Sequence, residues 1–532
     1  MNRLEAAPLH DFIDKTIDQR AGGSTAPLAD DAEFLRRIYL DLVGTIPTSA
    51  EARKFLADKS LNKRETLIDR LLADARFPRR MREAFTVMLL ERRAGSVVPN
   101  EKWNAWLETA FAKNKPWNQL VAEILSADGL QENSAAGIRF FVDGGRNNPD
   151  QMTRDIGRLF LGMDLQCAQC HDHPNVKSYK QVDYVGLLAF VKTSKLQNRK
   201  YFLASPKTEK IEFQSVFTPL DKKTTGPRLP GGKEIAIPTF KKGEEFSVKG
   251  DRKKGTPSIP KFRPRVLLAK ELTRASNRRF VLNSVNRIWF LMMGRGLVHP
   301  LDFLHNDNPA SHPKLLNQLA DEFVKHKFDL RWLIREIALS KTYQRSSRIP
   351  ENIDPKTLKP EHYRVAIAKP LAAEQMAWTL MRATGMQESI QKNTTPPKQK
   401  FTVKDYINGR IPTPKRIVDV MTLFSGMFGN PPGEAEVEFQ PSSSHSLFLM
   451  NDKLMVEWLK PQAGNLVSRL MRINKPEQLA DELYLSVLTR FPTSDERKRV
   501  VEHLTQNKNR RTEAIADYTW ALLASSEFRL NH

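Results

Sequence analysis

Cysteine is nearly absent from this chain: 532 residues hold two, Cys167 and Cys170. So few exclude a disulfide-built scaffold, which needs several bridges to replace a hydrophobic core. A single close pair does not fix the redox compartment, since it fits both. Long apolar runs are missing too. The best, Ile288 to Met293, falls far short of the roughly 18 residues of a membrane span. No glycine-rich phosphate loop or dinucleotide fingerprint is present, and no internal repeat at solenoid periods is visible. Residues 1–30 carry Asp11, Asp14, Asp18 and Asp30, with Asp31 just beyond, and show neither an apolar core nor a small-residue cleavage site. Taken as the natural start, they place the chain in the cytoplasm.

What is present is positive charge. Lys and Arg number 84 against 61 Asp and Glu, a formal net charge of +23. That balance favours acidic partners, and with no nucleic-acid motif beside it the expected partner is an acidic protein or polysaccharide rather than DNA or RNA. The bland reading, a solvated basic surface, covers most of the charge. Hydrophobic content of 40% with 27% charged residues suits globular domains, and the length predicts about two to four of them.

Periodicity is mostly helical. A short helix is expected over 8–20. From Asp30, Phe34, Ile38 and Leu42 recur every fourth residue with Leu35 widening the stripe, and Gly44 to Pro47 closes it. Thr48 or Ser49 can cap the next helix, with Glu51 in its first turn. Leu67, Leu71 and Leu72, then Met81 to Leu90, then Trp103, Trp106 and Phe111 continue the pattern, the aromatics reading as core. Pro149 suits a first helical turn after Asn147 and Asn148 as caps. Met152, Ile156, Leu159, Phe160 and Met163 then carry a helix toward Cys167. An apolar run from Leu187 to Val191 follows.

Between 193 and 265 the composition changes to Lys, Pro, Gly and Thr. Short alternating runs at Lys210–Phe217, Glu234–Phe240 and Glu245–Lys249 are separated by turn signals, predicting a small basic β-rich insertion or linker. Helices resume at Val266: Phe280–Met293 closed by Gly294, one around Leu315 to Phe323, one around Trp332 to Leu339, then Lys369–Met381. A basic, proline-broken loop spans Lys392–Lys415. Ser442 to His445 precedes a helix from Leu447, and further helices close the chain. The fold expected is mainly α, with multi-helical N- and C-terminal domains and a small β-rich basic insertion between them. The division predicted is an N-terminal segment 1–29, a helical domain 30–192, the insertion 193–265 and a helical domain 266–532.

The one stretch with concentrated chemistry is Cys167-Ala168-Gln169-Cys170-His171-Asp172-His173-Pro174. C-x-x-C-H is the attachment signature of c-type haem: each thiol can bond one vinyl side of a porphyrin, and the next residue offers an imidazole to the iron. Cys167, Cys170 and His171 would hold the group, Asp172 or His173 could orient the ring, and Leu187–Val191 could line apolar walls. Met163 is chemically suited to the sixth position, though nothing in the sequence places it there. A zinc alternative uses Cys167, Cys170, His171 and His173, or a remote His305 or His312, because no second C-x-x-C exists to complete four ligands. A redox dithiol, a 167–170 disulfide and a purely structural turn are the other readings. Elsewhere, His299 and His312 read as turn residues and Ser444-His445 lacks a third group for nucleophilic catalysis. Asp302, Asp307 and Asp329 would form a carboxylate site only if the fold gathers them.

Longer strings carry a resemblance. They include Asp31 to Leu42 with Gly44 and Ile46-Pro47-Thr48, Lys63-Arg64 through Leu72, and Phe160-Leu161-Gly162 leading into the cysteine motif. Asp183-Tyr184 with Gly186–Phe190, Asn286–Trp289 and Gly294–Val298 follow. Asn308-Pro309, Ser311-His312-Pro313, Phe328-Asp329-Leu330, Ser340-x-x-Tyr343, Trp520–Leu523 and Glu527-Phe528 complete the set. With these the chain resembles the planctomycete-type proteins that pair a cytochrome-like domain of unknown function with a second helical domain of unknown function. The resemblance implies haem c at Cys167, Cys170 and His171, an exported or periplasmic location and a redox partner protein. The competing class is a non-haem scaffold with structural zinc docking an acidic partner. Two departures stand out. No export signal is legible, and the aromatic residues that follow His-Pro in the family are replaced by Asn175 and a shifted Tyr179, which bears on the pocket wall and not on the thiols.

Overall fold

The computed structural model describes residues 8–95, 97–143, 148–251, 253–393, 400–436 and 443–532. Asn147, expected as a cap, and Ser442, expected just before a helix, lie outside the described residues, as do the side chains of Ser444 and His445. The fold is mainly α. Among the described residues the strands form only two-stranded antiparallel pairs, and no helix is long and apolar enough to cross a membrane.

Helix ends follow local chemistry. Asp30 accepts hydrogen bonds from Ala32 N and Glu33 N to start Asp31–Val43, and Gly44 ends it in the left-handed conformation at φ 72°. Thr48 and Glu51 form a reciprocal capping box at Ser49–Ala57. Asn148 Oδ1 accepts from Asp150 N at 2.9 Å, Pro149 fills the first turn, and the resulting helix runs to Leu161. Two expectations are corrected. The helix expected from Lys369 begins at Ala373, because Pro370 brings no N–H and disfavours helical backbone before it; Lys369–Pro370 instead pair with Leu530–Asn531. In the insertion, Glu234–Phe240 forms no strand, while Ile211–Ser215 pairs with Thr218–Thr225 and Phe246–Val248 with Ile259–Pro260. An additional hairpin pairs Ser194–Gln197 with Tyr201–Ala204.

The chain divides into two compact units. One comprises the chain up to Thr16, Ala84–Ile337 and Pro431–Ala435; the other comprises Ile17–Glu83, Ala338–Asn430 and Glu436–His532. Both are discontinuous. The first holds the insertion together with helices from either side of it. Its core includes Trp103, Phe111, Trp117, Phe140, Phe141, Ile156, Phe160, Phe280 and Trp289, all buried.

The second unit wraps the Asp31–Val43 helix. Phe34, Leu35, Ile38 and Leu42 are fully buried, as their period implies. The polar face is buried too, and each charge there has partners, without which burial would be costly. Asp41 accepts hydrogen bonds from Tyr343 Oη at 2.8 Å, Lys369 Nζ at 2.6 Å and Asn531 Nδ2 at 2.7 Å. Arg36 donates to Phe528 O at 2.7 Å, and Arg37 donates to Tyr343 O, Arg345 O and Glu33 Oε1. Residues far apart in the resembling strings thus meet around one helix.

Candidate functional site

The cysteines sit just beyond the Pro149–Leu161 helix. Gly162 ends that helix at φ 66°, and a Cβ there would lie 2.9 Å from Asn283 Oδ1 and 3.0 Å from Leu304 Cβ, so the turn needs glycine. The chain then runs antiparallel to the segment near Phe303: Leu304 N donates to Gly162 O at 2.8 Å, Asp164 N to Asp302 O at 2.9 Å, and Met163 bridges Phe303. After Leu165 a single 3₁₀ turn, Cys167–Gln169, carries the motif, with Ala168 buried inward and both thiols exposed and free.

The helix that leads into this turn carries a buried ionic network. Arg158 pairs with Glu91, with Asp155 at 3.1 Å and with Asp302 at 3.1 Å; Arg287 pairs with Asp302, and Arg93 with Glu91 at 3.0 Å and Asp155 at 3.3 Å. Burial alone would lower the Arg158 pKa, but Asp302, Glu91 and Asp155 together raise it above its usual range. Three guanidinium groups thus face three carboxylates, fixing the helix that presents the motif against the segment holding Asp302.

Each residue of the motif has a defined surrounding. His171 Nδ1 lies 2.6 Å from Asp172 O. A carbonyl only accepts, so Nδ1 carries the proton and Nε2 keeps its lone pair as a donor to a metal. His173 is arranged the opposite way: its Nδ1 accepts from Asn175 N at 3.2 Å and Val176 N at 3.0 Å, which leaves the proton of the neutral ring on Nε2. The Asp172 carboxylate accepts from Gln181 N and Lys180 Nζ, both at 2.9 Å. Burial works to raise its pKa, and these hydrogen bonds outweigh it and hold the carboxyl below its ordinary value. Gln181, itself buried, donates from Nε2 to Gln169 O at 3.3 Å and Gln214 O at 3.1 Å, tying the motif to the Ile211–Thr225 hairpin.

Other predicted residues go elsewhere. Met163 is fully buried in the turn behind the motif. Leu187, Ala189, Phe190 and Val191 are buried in a helix, Gln181–Val191, packed on Pro149–Leu161. Tyr179 is buried with its ring edge-on to His173 at 5.8 Å and to His305 at 5.5 Å, and its hydroxyl donates toward Gly162 O at 3.3 Å. Burial pushes the Tyr179 hydroxyl pKa up and the His305 imidazole pKa down, Asp307 opposing the latter from 4.0 Å. His312 stands at the start of Pro313–Lys325 beside Ser311. Asp302 belongs to the ionic network, Asp307 faces His305, and Asp329 accepts from Trp332 N; the three do not form one site. Among the described residues no group of three or more His, Cys, Asp or Glu side chains is placed to hold a metal ion. A separate cleft of about 620 Å³, lined by Lys195, Asn198, Phe246 and Thr256 among others, lies in the insertion.

Haem c makes a different demand on its donors from zinc: two thiols on one turn and one imidazole nitrogen. Cys167, Cys170 and His171 Nε2 meet it chemically. Sequence reasoning missed the role of Gln181 and placed Phe217 at the end of a strand, whereas its ring lies 4.9 Å from that of His171. An apolar pair between two strand runs, where Asn-Gly is usual, was the available signal.

Fold and turn define a helical protein that displays a C-x-x-C-H turn braced by a buried ionic network. Residues 8–195 match PSCyt2, a protein of unknown function (DUF1549), and residues 264–504 match PSD1, a protein of unknown function (DUF1553). The chain belongs to the proteins that pair these two domains, as its sequence strings indicate. No curated protein and no solved structure matches it.

Proposed function

We propose that the protein bears a c-type haem and serves an exported redox or electron-transfer system. Cys167 and Cys170 would hold the group by thioether bonds, and His171 Nε2 would ligate its iron. When bound, haem supplies one-electron exchange at iron. The chain's own part is to present and orient these donors. The observation that carries the reading is the contact of His171 Nδ1 with Asp172 O, which sets the tautomer that leaves Nε2 free to ligate. Asp172 is itself pinned by Gln181 N and Lys180 Nζ, so the carbonyl that orients the ring is held in place. The zinc alternative lacks such support, since His173 Nδ1 already accepts two backbone N–H groups. Export follows from the chemistry, because haem is joined to C-x-x-C-H outside the cytoplasm.

The test is expression behind a secretion leader with cytochrome-maturation machinery, followed by a pyridine haemochrome spectrum and total metal analysis. One covalent haem is expected, lost in Cys167→Ser/Cys170→Ser. A colourless protein carrying one equivalent of zinc would overturn the reading.

A further inference from the structure

The hairpin Ile211–Ser215/Thr218–Thr225 lies in a stretch that neither family model covers. Ser215 pairs with Thr218, so Val216 and Phe217 form the two-residue turn, a place where polar residues and glycine are the rule. Val216, Phe217 and Leu220 are 60%, 75% and 96% exposed. Three large apolar side chains at one tip are not accounted for by the hairpin's own packing.

The tip is nevertheless fastened to the C-x-x-C-H turn. Val216 N donates to Cys170 O at 3.1 Å, the Phe217 ring lies 4.9 Å from the His171 ring at 50°, and Gln181 bridges Gln169 O and Gln214 O. Tyr179, the nearest aromatic after His173-Pro174, is buried toward His173 and His305. Phe217 is therefore the aromatic residue that meets His171.

The charges around the tip do not select a charged partner. Lys222 pairs with Glu212 at 3.0 Å, Lys223 with Asp221 at 2.9 Å and Lys180 with Asp172 at 2.9 Å. What remains is an apolar edge with a balanced rim beside two exposed thiols and an imidazole. That surface suits a flat apolar group attached at those thiols.

We propose that this hairpin tip walls the haem site: Phe217 positions the His171 imidazole and, with Val216 and Leu220, covers the apolar face of haem held at Cys167 and Cys170. The proposal rests on the haem reading above. Phe217 is a positioning residue, and its side chain is exposed enough that replacing it leaves the fold intact.

The experiment compares the midpoint potentials of the matured wild-type holoprotein, Phe217→Ser and Phe217→Leu, each at equal haem content. Losing the apolar cover admits water, which favours the more highly charged oxidised iron. Phe217→Ser is expected to shift the potential downward, and Phe217→Leu to restore most of it. Haem-loaded wild type with an unchanged potential in Phe217→Ser would overturn the wall while leaving the haem reading standing. A wild type that takes up no covalent haem under maturation conditions overturns the haem reading and this proposal with it.

Discussion

Replacing Arg158 with Met should loosen the turn that presents the cysteines. Methionine fills similar space but leaves Glu91, Asp155 and Asp302 with two guanidinium groups, Arg93 and Arg287, where three stood. Breaking a buried pair by removing one partner typically costs about 3–5 kcal/mol, because a charge is left uncompensated. Arg158 touches all three carboxylates and is buried, so the full range applies. The loss should appear where the network holds two segments together: at Asp164 N on Asp302 O and Leu304 N on Gly162 O. At about 1.4 kcal/mol per tenfold, local opening should rise by a hundredfold or more. Hydrogen exchange resolved to peptides spanning 162–165 and 302–304 reads this directly. Arg158→Lys, which keeps the charge but not the fork, should fall between. Exchange in Arg158→Met within tenfold of wild type would refute the bracing role.

Other consequences can be measured in the same protein. Gln181→Leu removes two hydrogen bonds at about 1 kcal/mol each, so trypsin should cut the hairpin at Lys222 or Lys223 about thirtyfold faster; unchanged cutting would show that the amide does not hold the hairpin. Gly162→Ala meets both a positive φ and crowding from Asn283 and Leu304, whereas Gly231→Ala has a positive φ and nothing within 4 Å. The first should destabilise by about 1–2 kcal/mol more than the second in chemical denaturation, and equal losses would remove the crowding argument. Arg490 binds Glu496 at 2.7 and 2.8 Å, and mainly this holds the Glu496 carboxyl pKa at about 2. A depressed carboxyl stabilises above its unfolded value and loses that stability as pH falls through the folded one. The melting temperature gap between wild type and Arg490→Met should therefore be full at pH 7 and shrink as pH falls from about 4.5 toward 2; a gap that widens in acid would contradict it.

The sequence made the helices legible because their signals are local. The Phe34–Ile38–Leu42 stripe, the Thr48/Glu51 box, Pro149 at a first turn and Gly294 at a helix end each act within a few residues. The cysteine turn was legible for the same reason. The partners of that turn were not. Phe217 reaches His171 from 46 positions away through a hairpin whose register depends on a bulge between Phe213 and Ser215. Tyr179 read as a displaced flank of the motif, but its hydroxyl reaches Gly162 O and its ring His305, contacts that exist only once the Phe303 segment docks. Lys369 read as helical although Pro370 is a local stop signal, and what the residue does instead, pairing with Asp41 and lying opposite Asn531, depends on segments far away in the chain.

The Asp41 cluster also sets a timetable. The Asp31–Val43 helix is made well before Asn531, one of the groups that satisfies its carboxylate, which follows 490 positions later. At roughly 5–20 residues per second, that is an interval of about 25–100 s. Arg37 meets the carbonyls of Tyr343 and Arg345 only 306 and 308 positions on, and Arg36 and Asp41 wait for Phe528 and Asn531 to the end of that interval. The second unit can close only when the last helices are made, and the nascent chain must keep an amphipathic helix soluble until then.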